Sequence, residues 1–405
     1  MRFQALALGA FVAAGLCAPH VARAQTMPTV EAKRDWQIGV RAEAYYDNNL
    51  SRSNKAIADT RDIVPEDYVV VPSATISLVQ PFGRQAAFLK GDAGYTFHRY
   101  NTQMNRRRGK VNGGFAAVLG PCRQVTFGGY EAAQSDLANL DIGTSSNLRK
   151  TSIVGAGLQC ARGVGPGGSV TVQRADVKNS AQSVRESDTT TESMSTSLVY
   201  ARPSLGSFTA GFSYSNTEFP NRIIPGRPVG DGFFSQAYFL GYSRQFGSRL
   251  SVSGQGGISH VKREFAPAGV DQSFSAKNYA LDVIYGFGER IDLELHAAQA
   301  ITPSQQVGKT FDKQTSANAS IRYQAQRFTF STGYSWQNID SNVDTAASLL
   351  VVTNAEVNAV FGTVSFAPND KMSLQLNVRY EDRQANLPQF TYTATRIGLS
   401  AQASF

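Results

Sequence analysis

The chain ends in RIGLSAQASF (residues 396–405), a stretch in which apolar and polar side chains alternate. The apolar set has one parity and the polar set the other: Ile397, Leu399, Ala401, Ala403 and Phe405 against Arg396, Ser400, Gln402 and Ser404. Alternation with a period of two is typical of a β-strand whose two faces meet different surroundings. The stretch therefore predicts a strand with one face in an apolar medium and the other in water.

The same pattern repeats along the chain, punctuated by short turn signals about every 40 residues. The turn signals are PFGR (81–84), GPCR (120–123), ARGVGPGG (161–168), RPSLGS (202–207), FGSR (246–249), GFGER (286–290), YQAQR (323–327) and FAPNDK (366–371). Two alternating segments and a longer polar stretch lie between each pair of turns. Eight short turns and nine longer connections predict about 18 antiparallel strands of roughly 10–13 residues, long enough to cross a bilayer.

These features predict an all-β fold, a closed antiparallel transmembrane β-barrel of about 18 strands with short periplasmic turns and longer extracellular loops. A β-propeller also repeats every ~40–45 residues, but each of its blades holds four strands. Here each period holds two long strands and a polar loop. A secreted array of β-sandwiches is a further alternative, which would not need aromatic residues at strand ends.

The N-terminus has the features of a secretory signal: an early arginine, an apolar run from Ala5 to Ala18 and a small-residue cleavage site. The run is too short for a retained membrane anchor. We predict a signal peptide over 1–24 with cleavage between Ala24 and Gln25, a short periplasmic segment over 25–35 and a barrel over 36–405. The predicted location is the cell outer membrane.

Two cysteines remain after cleavage, Cys122 and Cys160, in an oxidising compartment. On the predicted topology Cys122 begins one strand and Cys160 ends its neighbour, so we predict a disulfide at the periplasmic rim. Metal binding or redox catalysis is disfavoured because the sequence has no C-x-x-C motif and no histidine cluster.

The turns are basic, which permits two interpretations. Their cations either reach lipid headgroups, the interpretation we favour, or form a vestibule that gathers an anionic polymer; they are Arg84, Arg123, Arg162, Arg202, Arg249, Arg290, Arg327 and Lys371. At an outer loop, Arg106, Arg107 and Arg108 are predicted either to bind lipopolysaccharide phosphates or simply to be solvated.

If the apolar sets face lipid, the charged side chains of opposite parity face the lumen, since such charges are costly on the lipid side. The predicted lumen-lining residues are Arg41, Glu43, Lys90, Asp92, Asp282, Glu294, His296, Arg322, Arg379, Glu381 and Arg396. They are expected either to pair with each other and stiffen the wall or to form a polar track for a hydrated solute.

Asp282 and His296 lie opposite each other if the turn at 288–290 is tight, and such a pair can orient a general base. No motif places a nucleophile beside them. The glycine-rich GVGPGG (163–168) lacks the Lys-Ser/Thr of a phosphate-binding loop. We therefore predict no enzymatic activity, no cofactor, no metal and no nucleic-acid partner.

EAYYDNNLSRS (43–53), followed by DYVVVPSATISLVQPFGR (67–84), resembles the β-barrel porin family of Gram-negative outer-membrane proteins. Many members of that family are associated with exopolysaccharide synthesis and export clusters. The matching first-loop motif, Tyr46 to Asn49, is expected to order its loop by hydrogen bonds from side chains to the backbone. The family offers no catalytic residues.

The resemblance implies a passive conduit for export of surface or extracellular polysaccharide. The alternatives are a general or small-solute diffusion porin and a plugged structural or adhesive barrel. The implied partners are outer-membrane lipid and lipopolysaccharide, the polysaccharide substrate, separate periplasmic export proteins, and the barrel-assembly machinery, whose recognition signal the terminal aromatic resembles.

Overall fold

The computed structural model describes residues 34–135, 146–160, 163–222, 231–265, 272–304, 309–343 and 352–405. The predicted signal peptide, its cleavage site at Ala24 and Gln25, and nearly all of the 25–35 segment lie outside the described residues, so these predictions stay predictions.

Eighteen β-strands make up almost all of the described chain. They are β1 (Asp35–Asp47), β2 (Asp67–Phe82), β3 (Gln85–His98), β4 (Arg106–Leu119), β5 (Cys122–Gln134), β6 (Leu148–Cys160), β7 (Gly165–Asn179), β8 (Thr189–Arg202), β9 (Gly206–Phe219), β10 (Asp231–Phe246), β11 (Leu250–Arg263), β12 (Ser273–Phe287), β13 (Ile291–Pro303), β14 (Lys309–Ala325), β15 (Phe328–Val343), β16 (Asn354–Asn369), β17 (Met372–Ala385) and β18 (Tyr392–Ser404).

Each strand pairs antiparallel with the next, and β18 pairs with β1, so the sheet closes on itself. The closing seam runs from Gly39 opposite Ser404 to Asp47 opposite Arg396. Beyond it the Phe405 N–H donates to the Ile38 carbonyl at 2.8 Å. Closure leaves no open sheet edge, which a strand-built membrane protein requires because lipid offers no hydrogen-bond partners. The predicted closed barrel of about 18 strands is confirmed.

Large apolar side chains lie exposed on one face of the wall. In β1, Trp36, Ile38 and Val40 are each more than half exposed. The register carries the same parity into both neighbours, where Val40 lies opposite Ala74 and Ala403. In water such a face would be costly, so it is the outward face of a barrel built for an apolar medium. The alternating C-terminal strand, β18, forms part of this wall.

The short and long connections lie at opposite ends of the barrel, which we call the turn end and the loop end. Between β2 and β3 the tight turn places Gly83 in the left-handed region, at a φ of 64°, which glycine adopts without strain. Of the predicted turn cations, Arg84, Arg249, Arg290, Arg327 and Lys371 lie in turns. Arg123 and Arg202 lie at strand ends, and Arg162 is outside the described residues.

Among the residues that the structure describes, the loop end carries α1 (Lys55–Thr60) and three 3-10 helices at Thr102–Met104, Gln182–Ser187 and Pro388–Phe390. The Asn54 side chain caps α1 by accepting a hydrogen bond from the Ile57 N–H at 3.1 Å. Among the described residues, no helix is long and apolar enough to cross a membrane.

Three loops meet in one apolar cluster, which we call the loop cluster: Leu50, Ile63, Met104 and Val184, all buried, with Ala181 packed against them. Leu50 and Ile63 belong to the β1–β2 loop, Met104 to the β3–β4 loop and Val184 to the β7–β8 loop. Burial of these side chains ties together segments that arise from well-separated strands. The loop end is therefore a packed structure of its own.

Cys122 and Cys160 face each other at the turn end, as the first pair of the β5–β6 ladder, and form a disulfide. The bond joins residues 38 positions apart. We expect the double variant Cys122→Ala/Cys160→Ala to fold but to lose about 2–4 kcal/mol of unfolding free energy, since the crosslink restricts the unfolded chain. Urea unfolding followed by the fluorescence of Trp36 and Trp336 measures the loss. Reduced wild-type protein is the control and should match the double variant, whereas equal midpoints for oxidised wild type and variant would contradict the prediction.

Candidate functional site

The inner face of the barrel is where the structure places all eleven predicted lumen-lining residues. Each occupies the parity opposite to that of most exposed apolar side chains of its strand. They do not form a single site. Instead, ten of them fall into three separate groups of ion pairs along the wall, described in turn below, and Lys90 lies on β3 beside the second group.

The first group lies at the seam and is centred on Asp47, whose side chain is fully buried. Its carboxylate accepts hydrogen bonds from Arg52 Nη2 at 2.7 Å, from Arg396 Nε at 3.0 Å and from the Asn49 N–H at 3.0 Å. Arg52 belongs to the β1–β2 loop, so this contact ties that loop to the wall. Burial alone would lower the pKa of Arg52, but the adjacent Asp47 carboxylate raises it above its usual range.

Two strands from β1, on β17, Glu381 accepts hydrogen bonds from Arg379 Nη2 at 3.0 Å and from the Tyr392 hydroxyl at 2.8 Å. On β1, Arg41 and Glu43 form a looser pair at 3.5 Å. The seam thus brings together five of the predicted residues from β1, β17 and β18. Asp47 was not among the predicted lumen-lining residues, because the motif that contains it indicates local loop structure.

The second group spans β3, β4 and β5. Asp92 pairs with Arg108 at 3.4 Å, and Lys110 pairs with Glu131 at 3.0 Å. Residues 106–108 were expected in a loop, but they begin β4, where Arg106 pairs with Thr96 and Arg108 with Gly94. The alternation of the strand sends Arg106 and Arg108 inward and Arg107 outward. Three consecutive arginines show no hydrophobic alternation, which is why the sequence did not reveal the strand.

The third group lies on β12, β13 and β14. Asp282 and His296 are opposite each other, with Asp282 Oδ1 and His296 Nδ1 2.7 Å apart. Glu294 pairs with Arg322 at 3.1 Å. Both pairs are partly exposed to the lumen, so each is screened by water and contributes little stability. In the described part of the chain, no cluster of three or more His, Cys, Asp or Glu is placed to hold a metal ion.

A hydroxyl-lined sector, which the sequence analysis did not predict, covers the inner face of β7 to β11. Its side chains hydrogen-bond across strands: Ser169 to Ser197 at 2.8 Å, Thr191 to Thr217 at 3.1 Å and Ser215 to Ser235 at 2.9 Å. Among the described inward positions of these five strands, the charged side chains are Asp231 and Arg263, both at the loop end. The alternating segment SMSTSLVY (193–200) was a detectable signal of this sector.

Inward-facing phenylalanines lie against the wall over glycines of neighbouring strands. A Cβ atom added to Gly155 or Gly333 would lie 2.5 Å from the ring of Phe127 or Phe361, so each ring occupies the space a side chain would fill. Gly211 and Phe239 have the same relation. The packing covers the exposed glycine backbone and holds these rings against the wall.

Comparison with known proteins gives a likeness of fold. No family model matches the sequence, and no curated protein matches it. The FrpB iron transporter from Neisseria meningitidis superposes with a TM-score of 0.54 at 10% identity, over 86% of this chain and 62% of that one. Pseudomonas aeruginosa OccK2 (OpdF) superposes with a TM-score of 0.51 at 11% identity, over 92% of this chain and 98% of that one.

At this level of identity the likeness shows the fold alone. The fold is that of the Gram-negative outer-membrane β-barrels. This chain spans about 62% of the length of FrpB but matches nearly the whole of OccK2. The association with exopolysaccharide export, which the first strands suggested, finds no support in these comparisons.

Proposed function

We propose that this barrel is a passive channel for hydrophilic solutes across the outer membrane, with its turn end in the periplasm. One observation carries the proposal: a closed wall of 18 strands is apolar on its outer face and lined with hydroxyls and ion pairs on its inner face. Barrels of 16–18 strands are wide enough to hold an aqueous channel. The ion pairs stiffen the inner wall, and solutes cross the lumen by diffusion. We propose no enzymatic role.

For the cargo, the resemblance of the first strands supports export of surface or extracellular polysaccharide, driven from the inner membrane with separate periplasmic proteins. Diffusion of small solutes is the second candidate, supported by the match to nearly the full length of OccK2. A structure of OccK2 in complex with glucuronate also superposes, with a TM-score of 0.50. We do not propose iron transport, the activity named for FrpB, for this protein.

The channel is tested by inserting purified, refolded protein into planar lipid bilayers in KCl. We expect stepwise current increases that persist over a range of voltages, because water and ions fill a polar-walled lumen. Protein heated to denaturation before insertion is the control. Refolded barrels that insert, as shown by protease protection of the reconstituted protein, yet produce no current steps would show a plugged structural barrel instead.

The two cargo hypotheses separate in cells. A deletion strain that still secretes normal amounts of polymer would refute export. If small solutes are the cargo, the same strain should take up sugars of low molecular mass more slowly, and the plasmid-borne gene should restore uptake.

A further inference from the structure

We infer that the lumen selects solutes that are both rich in hydroxyl groups and negatively charged, the chemistry of an acidic sugar. This inference rests on the proposed channel function and concerns what the channel prefers. Such a sugar has two sources, a free monosaccharide or a unit of an acidic polysaccharide, and both present the same carboxylate and hydroxyl groups to the wall. The inference follows from the unequal distribution of side chains around the lumen.

One sector of the wall, from β17 through β18 and β1 to β6, carries a surplus of positive charge. Its described inward positions hold ten Lys and Arg against seven Asp and Glu. Several of those carboxylates are already paired, including Asp47, Asp92 and Glu381. Arg52 of the β1–β2 loop adds a further buried guanidinium at the loop end. The summed positive charge of this sector produces an electrostatic field that attracts anions.

The hydroxyl-lined sector adjoins it where β6 pairs with β7 and continues around the lumen to the side opposite β18. β9, the middle of the hydroxyl-lined sector, is nine strands from β18 in either direction around the 18-stranded sheet, which is half the circumference. Ser193, Ser195 and Ser197 follow one another along the inner face of β8, and each hydroxyl can donate and accept. The hydroxyls of this surface can replace the water molecules that hydrogen-bond to a sugar, at little cost in free energy. Because they are uncharged, they produce no net electrostatic field.

A third sector, β12 to β14, is acidic: its inward positions carry Asp282, Asp292, Glu294 and Asp312 against two cations, Arg322 and, at the loop end, Lys309, whose ammonium donates to the Ser341 hydroxyl at 2.9 Å. Its central strand, β13, lies six strands from β1 around the closed sheet. The positive and negative sectors together produce a field across the lumen, and the hydroxyl-lined sector spans the gap between them. A solute with a carboxylate at one edge and hydroxyls at the other fits this field in one orientation, with its carboxylate toward β17–β6.

The test uses three sugars of one size: galacturonate, galactose and galactosamine, in swelling assays on proteoliposomes. We expect the permeation rates to fall in that order, with galacturonate exceeding galactosamine by roughly threefold or more. KCl conductance of the same preparation is recorded in parallel. Conductance without discrimination among the three sugars would overturn this inference and leave the channel intact, whereas absence of any conductance would overturn the proposed function itself.

Two variants assign the preference to its sectors. Lys90→Glu, at an exposed inward position, should lower the ratio of galacturonate to galactose permeation at least about twofold. The triple variant Ser193→Ala/Ser195→Ala/Ser197→Ala should slow all three sugars relative to KCl. Thr196→Ala is the matched control, because Thr196 lies on the same strand but faces outward, and it should change nothing. Equal effects of the triple variant and Thr196→Ala would refute a role for the hydroxyl-lined sector.

The source of the sugar is resolved with a longer probe. Polygalacturonate added on the periplasmic side of a bilayer-inserted channel should interrupt the KCl current as chains thread the lumen, if polymer is the cargo. Free galacturonate permeation without interruption by the polymer would assign the preference to the monosaccharide.

Discussion

Asp47→Asn is expected to lower the unfolding free energy by about 3–5 kcal/mol, because it leaves two guanidinium groups facing a neutral amide in a buried site. Asp47 is fully buried, and its carboxylate is the common partner of Arg52 and Arg396. This one carboxylate links the closing seam, through Arg396, to the β1–β2 loop, through Arg52. The loss should appear as an earlier midpoint of urea unfolding and as a smaller fraction of folded, fast-migrating protein on unheated SDS gels.

Glu131→Gln is the matched control, since the Lys110–Glu131 pair has nearly the same separation, 3.0 Å, but both side chains are about half exposed. An exposed pair contributes about 0–1 kcal/mol, so this variant should unfold near the wild-type midpoint. The double variant Asp47→Asn/Arg52→Gln should recover part of the loss by removing one unpaired cation. Indistinguishable midpoints for Asp47→Asn and Glu131→Gln would show that the seam does not depend on Asp47.

Gly257→Ala is expected to destabilise the barrel by about 3 kcal/mol, at the upper end of the cost of overpacking. A Cβ at this inward position would lie 1.9 Å from the Tyr238 carbonyl oxygen and 2.9 Å from the Cα of Phe239. Both contacts are with the backbone of β10, which cannot move aside as a side chain does. The β10–β11 ladder must therefore shift. Unfolding in urea, followed by tryptophan fluorescence, measures the cost.

The adjacent residue provides the control. Gly256 faces outward, and a Cβ added there would meet no atom within 4 Å. Gly256→Ala should therefore change the unfolding free energy by no more than about 0.5 kcal/mol. If the two alanine variants unfold alike, the close approach of β10 to β11 at Gly257 is not a determinant of stability.

Much of the wall could be predicted from the sequence, because the information that specifies it is local. The alternation of apolar and polar residues along a strand indicates which side chains share a face, and the spacing of the turns indicates the number of strands. Ile397 and Leu399 illustrate this, since their parity alone places them on the outward face. The position of His296 opposite Asp282 followed from the length of one turn.

Features that depend on distant contacts could not be predicted in this way. Asp47 belongs to a motif that predicts local loop structure, but its partner Arg396 is 349 positions away in the sequence. Leu50, Met104 and Val184 come from three loops whose meeting no periodicity encodes. The hydroxyl-lined sector was missed for another reason: serine and threonine are ordinary in strands, so the alternating SMSTSLVY (193–200) was a weak signal. The extent of the sector becomes apparent only when five neighbouring strands are compared.

The seam between β1 and β18 also constrains how the barrel is made. Its hydrogen bonds join the two strands that are farthest apart along the chain, so none can form before β18 has been synthesised. Contacts of such long sequence range make folding slow and expose unpaired strands in the meantime. Until β18 docks, β1 offers a bare row of backbone donors and acceptors to any neighbouring chain. Productive biogenesis must therefore keep the nascent polypeptide from aggregating in transit and bring its two ends together last.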